Sequence, residues 1–189
     1  MQPVSGRRPR NAEATRAAIL EAARSRFADQ GYDGASLRDI AAEAGVDVAL
    51  VSRYFGSKDE LFRASLQSVP PDELFAGEAS HFGARVARML ILEPLDQGKL
   101  DKLLMILRSA ASPRAAEIIR LNGEESFYGP LQALLGGEDA AVRARLVAAL
   151  TTGMAILRAI DESYLLTSSD REELSRRFAA LVQGVVETR

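Results

Sequence analysis

The segment from Leu37 to Gly56 constrains the fold of this chain more than any other part of the sequence. Its first half places apolar residues at the i, i+3, i+4 and i+7 spacing of one helix face, at Leu37, Ile40, Ala41 and Ala44. Gly45 follows where a helix needs a residue that tolerates positive φ. Val46 and Val51 then continue the apolar face into a second short helix. Two short helices joined by a tight turn are typical of a helix-turn-helix, whose second helix enters the DNA major groove.

Cap residues mark further helices on both sides of this segment. Asn11, or Thr15 as a later candidate, is the predicted N-cap of a helix that extends to about Gln30 and ends at Gly31. Ser36 caps the first helix of the pair, and the S-x-x-E sequence at 57–60 predicts a capping box for the helix that follows. The predicted unit is a three-helix helix-turn-helix domain at residues 11–67, preceded by a flexible basic arm at residues 1–10.

Candidate DNA contacts lie on the outer face of the second helix and at the helix starts around it. A helix N-terminus presents free N–H groups that suit a phosphate. Asp47 can cap its helix or accept a hydrogen bond from cytosine, and Arg53 can bind either guanine or a phosphate. Arg38 and Lys58 fit phosphate contacts but also fit solvated surface positions. The candidate contacts are Ser36, Arg38, Asp47, Val48, Ala49, Ser52, Arg53, Tyr54 and Lys58.

Three linked motifs carry a family resemblance. Residues 27–32 form an F-x-x-x-G-Y run, residues 36–46 are SLRDIAAEAGV, and residues 54–61 are YFGSKDEL. In this order and spacing, residues 11–67 resemble the DNA-binding domain of the TetR (tetracycline-repressor) family of bacterial transcription regulators. The family often has Ser-Lys or Thr-Lys followed by Gly or Ala at 47–49, and Tyr or Phe at 52, so Asp47, Val48 and Ser52 leave the operator sequence open.

The resemblance implies an all-α protein with a carboxy-terminal helical domain, here residues 68–189, that binds a small ligand and dimerises. It implies a homodimer that binds a near-palindromic DNA operator, most simply as a repressor released by a small apolar or amphipathic effector. Candidate residues for the effector pocket are Phe82, Met89, Met105, Leu121, Phe127, Tyr128 and Met154. Each of these side chains also fits an ordinary place in the core.

The predicted helices beyond residue 67 are separated by short breaks, including one at Gly129-Pro130. The last two predicted helices cover residues 139–160 and 170–187, with Ser169 as the cap of the second. Both have apolar stripes at helical spacing: Leu146, Leu150, Met154 and Leu157, then Leu174, Phe178, Leu181, Val182 and Val185. These stripes can be buried within one subunit or against a partner, and the resemblance favours the partner.

Composition and charge restrict the other classes of function. The hydrophobic content of 47% supplies a core, and the absence of Cys excludes disulfides and thiolate chemistry. Residues 1–67 carry a net charge of +1 and residues 68–189 a net charge of −3, which fits contact with DNA at one end. We find no secretory signal, and no run of consecutive apolar residues approaches the length of about 20 that spans a bilayer, so we expect a cytoplasmic protein without a membrane partner.

Two other classes of function fit the sequence less well than a ligand-responsive regulator. A sequence-tolerant architectural DNA-binding protein would need more positive charge than residues 1–67 provide. A helical enzyme would need a nucleophile–base pair, a Gly-rich phosphate loop or a metal cluster, and the sequence suggests none of these. His81 is the sole histidine and a poor metal ligand by itself, so we expect neither a cofactor nor a metal.

Overall fold

The computed structural model describes residues 8–67, 72–94, 97–160 and 167–188, and within these ranges it contains helices and turns without a β-strand. The α-helices are α1 Arg8–Gly34, α2 Leu37–Glu43, α3 Val48–Phe55, α4 Lys58–Leu66, α5 Asp72–Phe75, α6 Phe82–Ala87, α7 Gln97–Ser109, α8 Pro113–Gly123, α9 Gly129–Leu135, α10 Ala140–Ile160 and α11 Ser168–Glu187. A 3₁₀ turn at Ala79–His81 precedes α6, and π-helical turns at Arg88–Leu92 and Glu124–Tyr128 follow α6 and α8.

Helix α1 begins at Arg8, three residues before the predicted cap at Asn11. The backbone is therefore already helical within the predicted basic arm, before Asn11. The rest of the predicted basic arm, residues 1–7, lies outside the described residues. The prediction that the regular helix ends at Gly31 is confirmed, since Gly31 has φ +68° and ψ 179° and only one further turn follows it.

The predicted caps of the helix-turn-helix are confirmed. The Ser36 hydroxyl accepts from the amide of Asp39 at 3.1 Å, and the Asp47 carboxylate accepts from the amide of Ala49 at 2.7 Å. Gly45 has φ +66° in the turn between α2 and α3, as the sequence predicts. The caps and the glycine turn determine where each short helix starts. The apolar faces of the helices then determine how they pack.

One hydrophobic cluster joins α1 to α4 and also includes residues from α7 and α8. Phe27 and Phe62 are fully buried and meet edge to face, with ring centroids 4.9 Å apart. Tyr32 packs on the same Phe62 ring at 5.1 Å. Met105 of α7, also fully buried, belongs to this cluster and not to the one formed by the last helices. The helix-turn-helix is therefore built on a core to which α7 and α8 contribute.

A second cluster is formed by α6, α9, α10 and α11. Gly83 allows α6 to pack closely on α11, since a β-carbon at this position would lie 2.3 Å from the carbonyl oxygen of Ala179. The amide of Gly83 also donates to the Gln183 side chain at 2.9 Å. Helix α11 begins at Ser168 with Thr167 as its N-cap, so the prediction of Ser169 as the cap was two residues late.

The predicted break at Gly129-Pro130 was wrong, because α8 continues into α9 through the π-helical turn Glu124–Tyr128. The amide of Gly129 donates to the carbonyl of Glu124, five residues earlier. This wider turn takes up one extra residue just before the proline. The proline then stands in the first turn of α9, where its missing N–H is tolerated.

The described chain forms two compact units. The first contains the described part of Met1–Ser68 together with Asp101–Arg120, and the second contains the described parts of Val69–Leu100 and Leu121–Arg189. Most of α7 and α8 thus packs with the amino-terminal helices, which the predicted boundary between residues 67 and 68 did not anticipate. Where the functional domains divide stays a prediction.

Helix α10 is long and apolar enough to cross a membrane by length and composition alone, although counts of consecutive apolar residues did not identify it. Its apolar residues alternate with arginine, threonine and glycine, which divides them into short runs. A core helix or an interface helix of a protein without a membrane span passes the same test.

Candidate nucleic-acid interface

Helix α3 buries one face and exposes the other. Val51 and Phe55 are buried against α1, α2 and α4, and the Arg16 guanidinium lies 4.9 Å from the Phe55 ring centroid. The opposite face exposes a compact set of side chains, as contact with a groove requires: Asp47, Val48, Ala49, Ser52 and Arg53. Tyr54 is half-buried, with its ring packed on the cluster. The sequence predicted both faces of this helix.

The N-terminus of α2 forms a second part of the candidate surface. Ser36 is half-buried, and its hydroxyl donates to the Asp39 carboxylate at 2.6 Å while accepting from the Asp39 amide. Arg38 is exposed in the first turn of the helix. Arg26 and Glu43 form an ion pair that ties α1 to the end of α2. This helix start can therefore present its free N–H groups and the Arg38 guanidinium to an anion.

The start of α4 carries the third part of the surface. Ser57 accepts from the Glu60 amide at 3.1 Å, so the predicted cap is confirmed. The amide of Ser57 donates to the carbonyl of Phe55 at 3.0 Å, not to Glu60 as a full capping box would require. The ammonium of Lys58 lies 4.5 Å from the centroid of the Tyr32 ring, a cation–π contact that holds the side chain near the surface.

A polar network missed by the sequence reasoning surrounds Lys58. The Tyr32 hydroxyl donates to the Asp59 carboxylate, and Nε of Arg114 donates to the other carboxylate oxygen at 2.7 Å. Burial and the bond to Asp59 raise the pKa of Tyr32 to about 12. The Tyr32 bond, together with Arg114, lowers the pKa of Asp59. At neutral pH Asp59 is therefore ionised and Tyr32 protonated, which keeps the network intact.

The candidate effector residues do not all come together. Phe82, Phe127, Tyr128 and Met154 belong to or pack against the second cluster. Met89 is half-buried in the π-helical turn after α6, while Leu121 on α8 is 45% exposed. Met105 lies in the core of the first unit. Single apolar residues at helical spacing indicate burial, but they carry no signal for which cluster they join.

Two known domain families match this chain. The amino-terminal helices match the family described as bacterial regulatory proteins, tetR family, over residues 19–65. The family described as tetracyclin repressor-like, C-terminal domain, matches residues 80–186, more than half of the chain. The chain belongs to the TetR family. It is therefore a DNA-binding transcriptional regulator and not an enzyme, as the sequence predicted.

Relatives with curated names agree with this assignment to the TetR family. An HTH-type transcriptional repressor of Streptomyces coelicolor is 34% identical over 145 residues, which cover 76% of this chain and 67% of that protein. An HTH-type transcriptional repressor of Mycobacterium tuberculosis is 38% identical over 91 residues. That alignment covers 47% of this chain and less than half, 42%, of the mycobacterial protein.

Solved structures of other regulators share this fold over most of their length. A TetR-family regulator from Streptomyces coelicolor A3 is 32% identical, with a TM-score of 0.57 over 97% of this chain and 100% of that one. NalD, the secondary repressor of the MexAB-OprM multidrug efflux pump in Pseudomonas aeruginosa, has a TM-score of 0.67 over 90% of this chain and 95% of that one. NalD is only 20% identical, so this likeness concerns the fold alone.

Proposed function

We propose that this protein is a homodimeric repressor that binds a near-palindromic operator and releases it when a small effector binds. Two α3 helices related by a twofold axis would enter successive major grooves about 34 Å apart. The exposed face of α3 and the capped starts of α2 and α4 are the features of the first unit that support this proposal. As a regulator of genes, the protein would act in the cytoplasm.

The outer surfaces of α10 and α11 support the proposed dimer. An apolar seam on α10 repeats at helical spacing and is largely exposed: Val142, Leu146, Ala149, Gly153, Leu157 and Ile160. On α11, Leu181 is 55% exposed, whereas Phe178 and Val182 of the same predicted stripe are buried within the subunit. A β-carbon added to Gly153 or Gly184 would meet no atom within 4 Å, which leaves room for a partner helix to approach.

An aromatic group in the second unit supports the proposed effector site. The Phe75 ring lies 6.2 Å from Phe82 and 5.9 Å from Phe127 between centroids, and Phe127 contacts Tyr128. Arg85 lies beside this group, with its guanidinium 5.7 Å from the Phe82 centroid. Its Nε and Nη1 donate to backbone carbonyls, whereas Nη2 is buried without a partner among the described residues. Apolar rings beside an unused donor favour an amphipathic effector over a purely apolar one.

Removing Arg53 and removing Lys58 should weaken DNA binding in different ways. A preferred duplex is first selected from random sequences. Lys58→Ala should then weaken binding to every sequence and reduce the slope of log affinity against log salt by about one, the change expected for loss of one phosphate contact. Arg53→Ala should cost about 1–3 kcal/mol and relax the preference at one base position if the guanidinium binds a base. Fluorescence anisotropy on the selected duplex and single-base variants measures both effects.

The same titrations test the alternative of a sequence-tolerant architectural protein. Such a protein would yield no enriched sequence in the selection, and competitor DNA would displace the labelled duplex in proportion to its length. That outcome would reject the repressor proposal. Equal losses for Arg53→Ala on all duplexes would instead place Arg53 on a phosphate and leave the rest of the proposal intact.

Acids should release the operator complex more effectively than their neutral counterparts if Arg85 contacts the effector. We would screen aromatic and medium-chain carboxylates, each paired with its amide, for loss of anisotropy of the bound duplex. The active acid should lose its effect in Arg85→Met, which keeps much of the length of the side chain but removes the donors. An amide as active as its acid would exclude Arg85 as the polar contact.

A further inference from the structure

An acidic residue lies next to the proposed phosphate contact at the start of α4. Asp59 directly follows Lys58 in the first turn, and its side chain is 28% exposed. A carboxylate there suits the helix dipole. The same charge, however, would repel a DNA phosphate bound at Lys58, and it would compete with that phosphate for the ammonium group.

The structure engages both oxygens of this carboxylate with other donors. The Tyr32 hydroxyl donates to Oδ1, and Nε of Arg114 donates to Oδ2. The Lys58 ammonium lies over the face of the same Tyr32 ring, 4.5 Å from its centroid. Tyr32 and Arg114 thus occupy the two oxygens of the carboxylate, and Arg114 supplies a balancing charge.

Arg114 is placed for this contact by the turn between α7 and α8. The Ser109 hydroxyl at the end of α7 accepts from the amide of Tyr32 at 2.9 Å, and Ser112 donates to Asp33 at 3.1 Å. Arg114 lies in the first turn of α8, where the helix dipole disfavours a cation unless an anion is near. Its side chain is 64% exposed, so the ion pair with Asp59 contributes little to folding. An ion pair of little value for stability, beside a proposed phosphate contact, points to a role in binding.

We propose that Arg114 is a positioning residue for DNA binding, which neutralises Asp59 so that Lys58 remains available to a DNA phosphate. This inference rests on the proposed phosphate contact of Lys58. It adds a residue of α8, 56 positions after Lys58 in the sequence, to the determinants of operator affinity. Arg114 acts here through Asp59 and not by touching DNA.

A double-mutant cycle tests this role on the duplex recovered by site selection. Arg114→Ala should weaken binding about fivefold, the size expected for one partly screened charge beside the contact. Asp59→Asn should bind at least as well as the wild type, and adding Arg114→Ala to it should change affinity by less than about twofold. Arg114→Lys, which keeps the charge, should retain most of the wild-type affinity while Asp59 is present. The thermal unfolding midpoint should not change for Arg114→Ala or Arg114→Lys, as expected for an exposed side chain, and binding is compared for Asp59→Asn at a temperature where that variant is fully folded.

Three outcomes would overturn the proposal. Arg114→Ala could leave affinity unchanged, or it could weaken binding equally in the wild-type protein and in the Asp59→Asn variant. It could also lower the slope of log affinity against log salt by about one, as loss of a direct phosphate contact would. Lys58→Ala distinguishes failure of the proposed role of Arg114 from failure of the proposed phosphate contact of Lys58. If Lys58→Ala leaves binding unchanged, the phosphate contact itself is rejected, whereas a loss with Lys58→Ala and none with Arg114→Ala rejects only the role of Arg114.

Discussion

Phe62→Ala should lower the free energy of unfolding of the first unit by about 3–5 kcal/mol. Phe62 is fully buried at the point where α4 meets α1, and its ring contacts those of Phe27 and Tyr32 edge to face. Truncation removes two aromatic contacts and leaves a cavity that the surrounding helices can close only in part. The loss should appear in denaturant unfolding followed by circular dichroism at a fixed protein concentration.

Leu107→Ala is the matched control for this truncation. It removes a large apolar side chain from α7 in the same unit, but Leu107 is 45% exposed, so the change should stay within about 0.5 kcal/mol. Phe62→Ala should also weaken DNA binding, because α4 carries Lys58 in its first turn and Ser57 as its cap. A loss of stability below about 1 kcal/mol would mean that the aromatic contacts are not central to this core.

Local signals explain how much of the candidate interface the sequence predicted. A cap needs only one side chain and an amide two or three residues later, so Ser36, Asp47 and Ser57 were identifiable without tertiary information. Gly31 and Gly45 were identifiable because their positive φ favours glycine. The periodicity of α3 likewise separated the buried face from the exposed one.

Contacts between distant parts of the sequence explain what was missed. An apolar stripe shows that a helix buries one face, but it does not show against what, so the place of Met105 in the core of the first unit could not be predicted. Asp59 lies 27 residues from Tyr32 and 55 from Arg114, and no local pattern links the three residues. The break expected at Gly129-Pro130 did not occur, because a wider helical turn before the proline is not encoded by any single residue type.

Leu146→Glu should convert the proposed dimer into a monomer and weaken binding to the full operator by about 100-fold or more. Leu146 lies on the exposed apolar seam of α10 and is itself 51% exposed in the subunit. In a twofold interface the same patch faces itself, so each new carboxylate would be buried against apolar surface and near its symmetry mate. Loss of the dimer removes the second recognition helix, and with it the gain in affinity from binding two half-sites.

Thr152→Glu is the matched control, because it adds the same charge to an exposed position of α10 about a quarter turn from the seam. Light scattering after size exclusion should give a dimer for this control and a monomer for Leu146→Glu, with equal helix content by circular dichroism. If Leu146→Glu remained a dimer with unchanged operator affinity, the seam would not be the interface.

Binding to an isolated half-site distinguishes loss of the dimer from damage to the DNA-binding surface. Half-site affinity should stay within about twofold of the wild type while full-operator affinity falls, since α3 and its caps lie in the other unit.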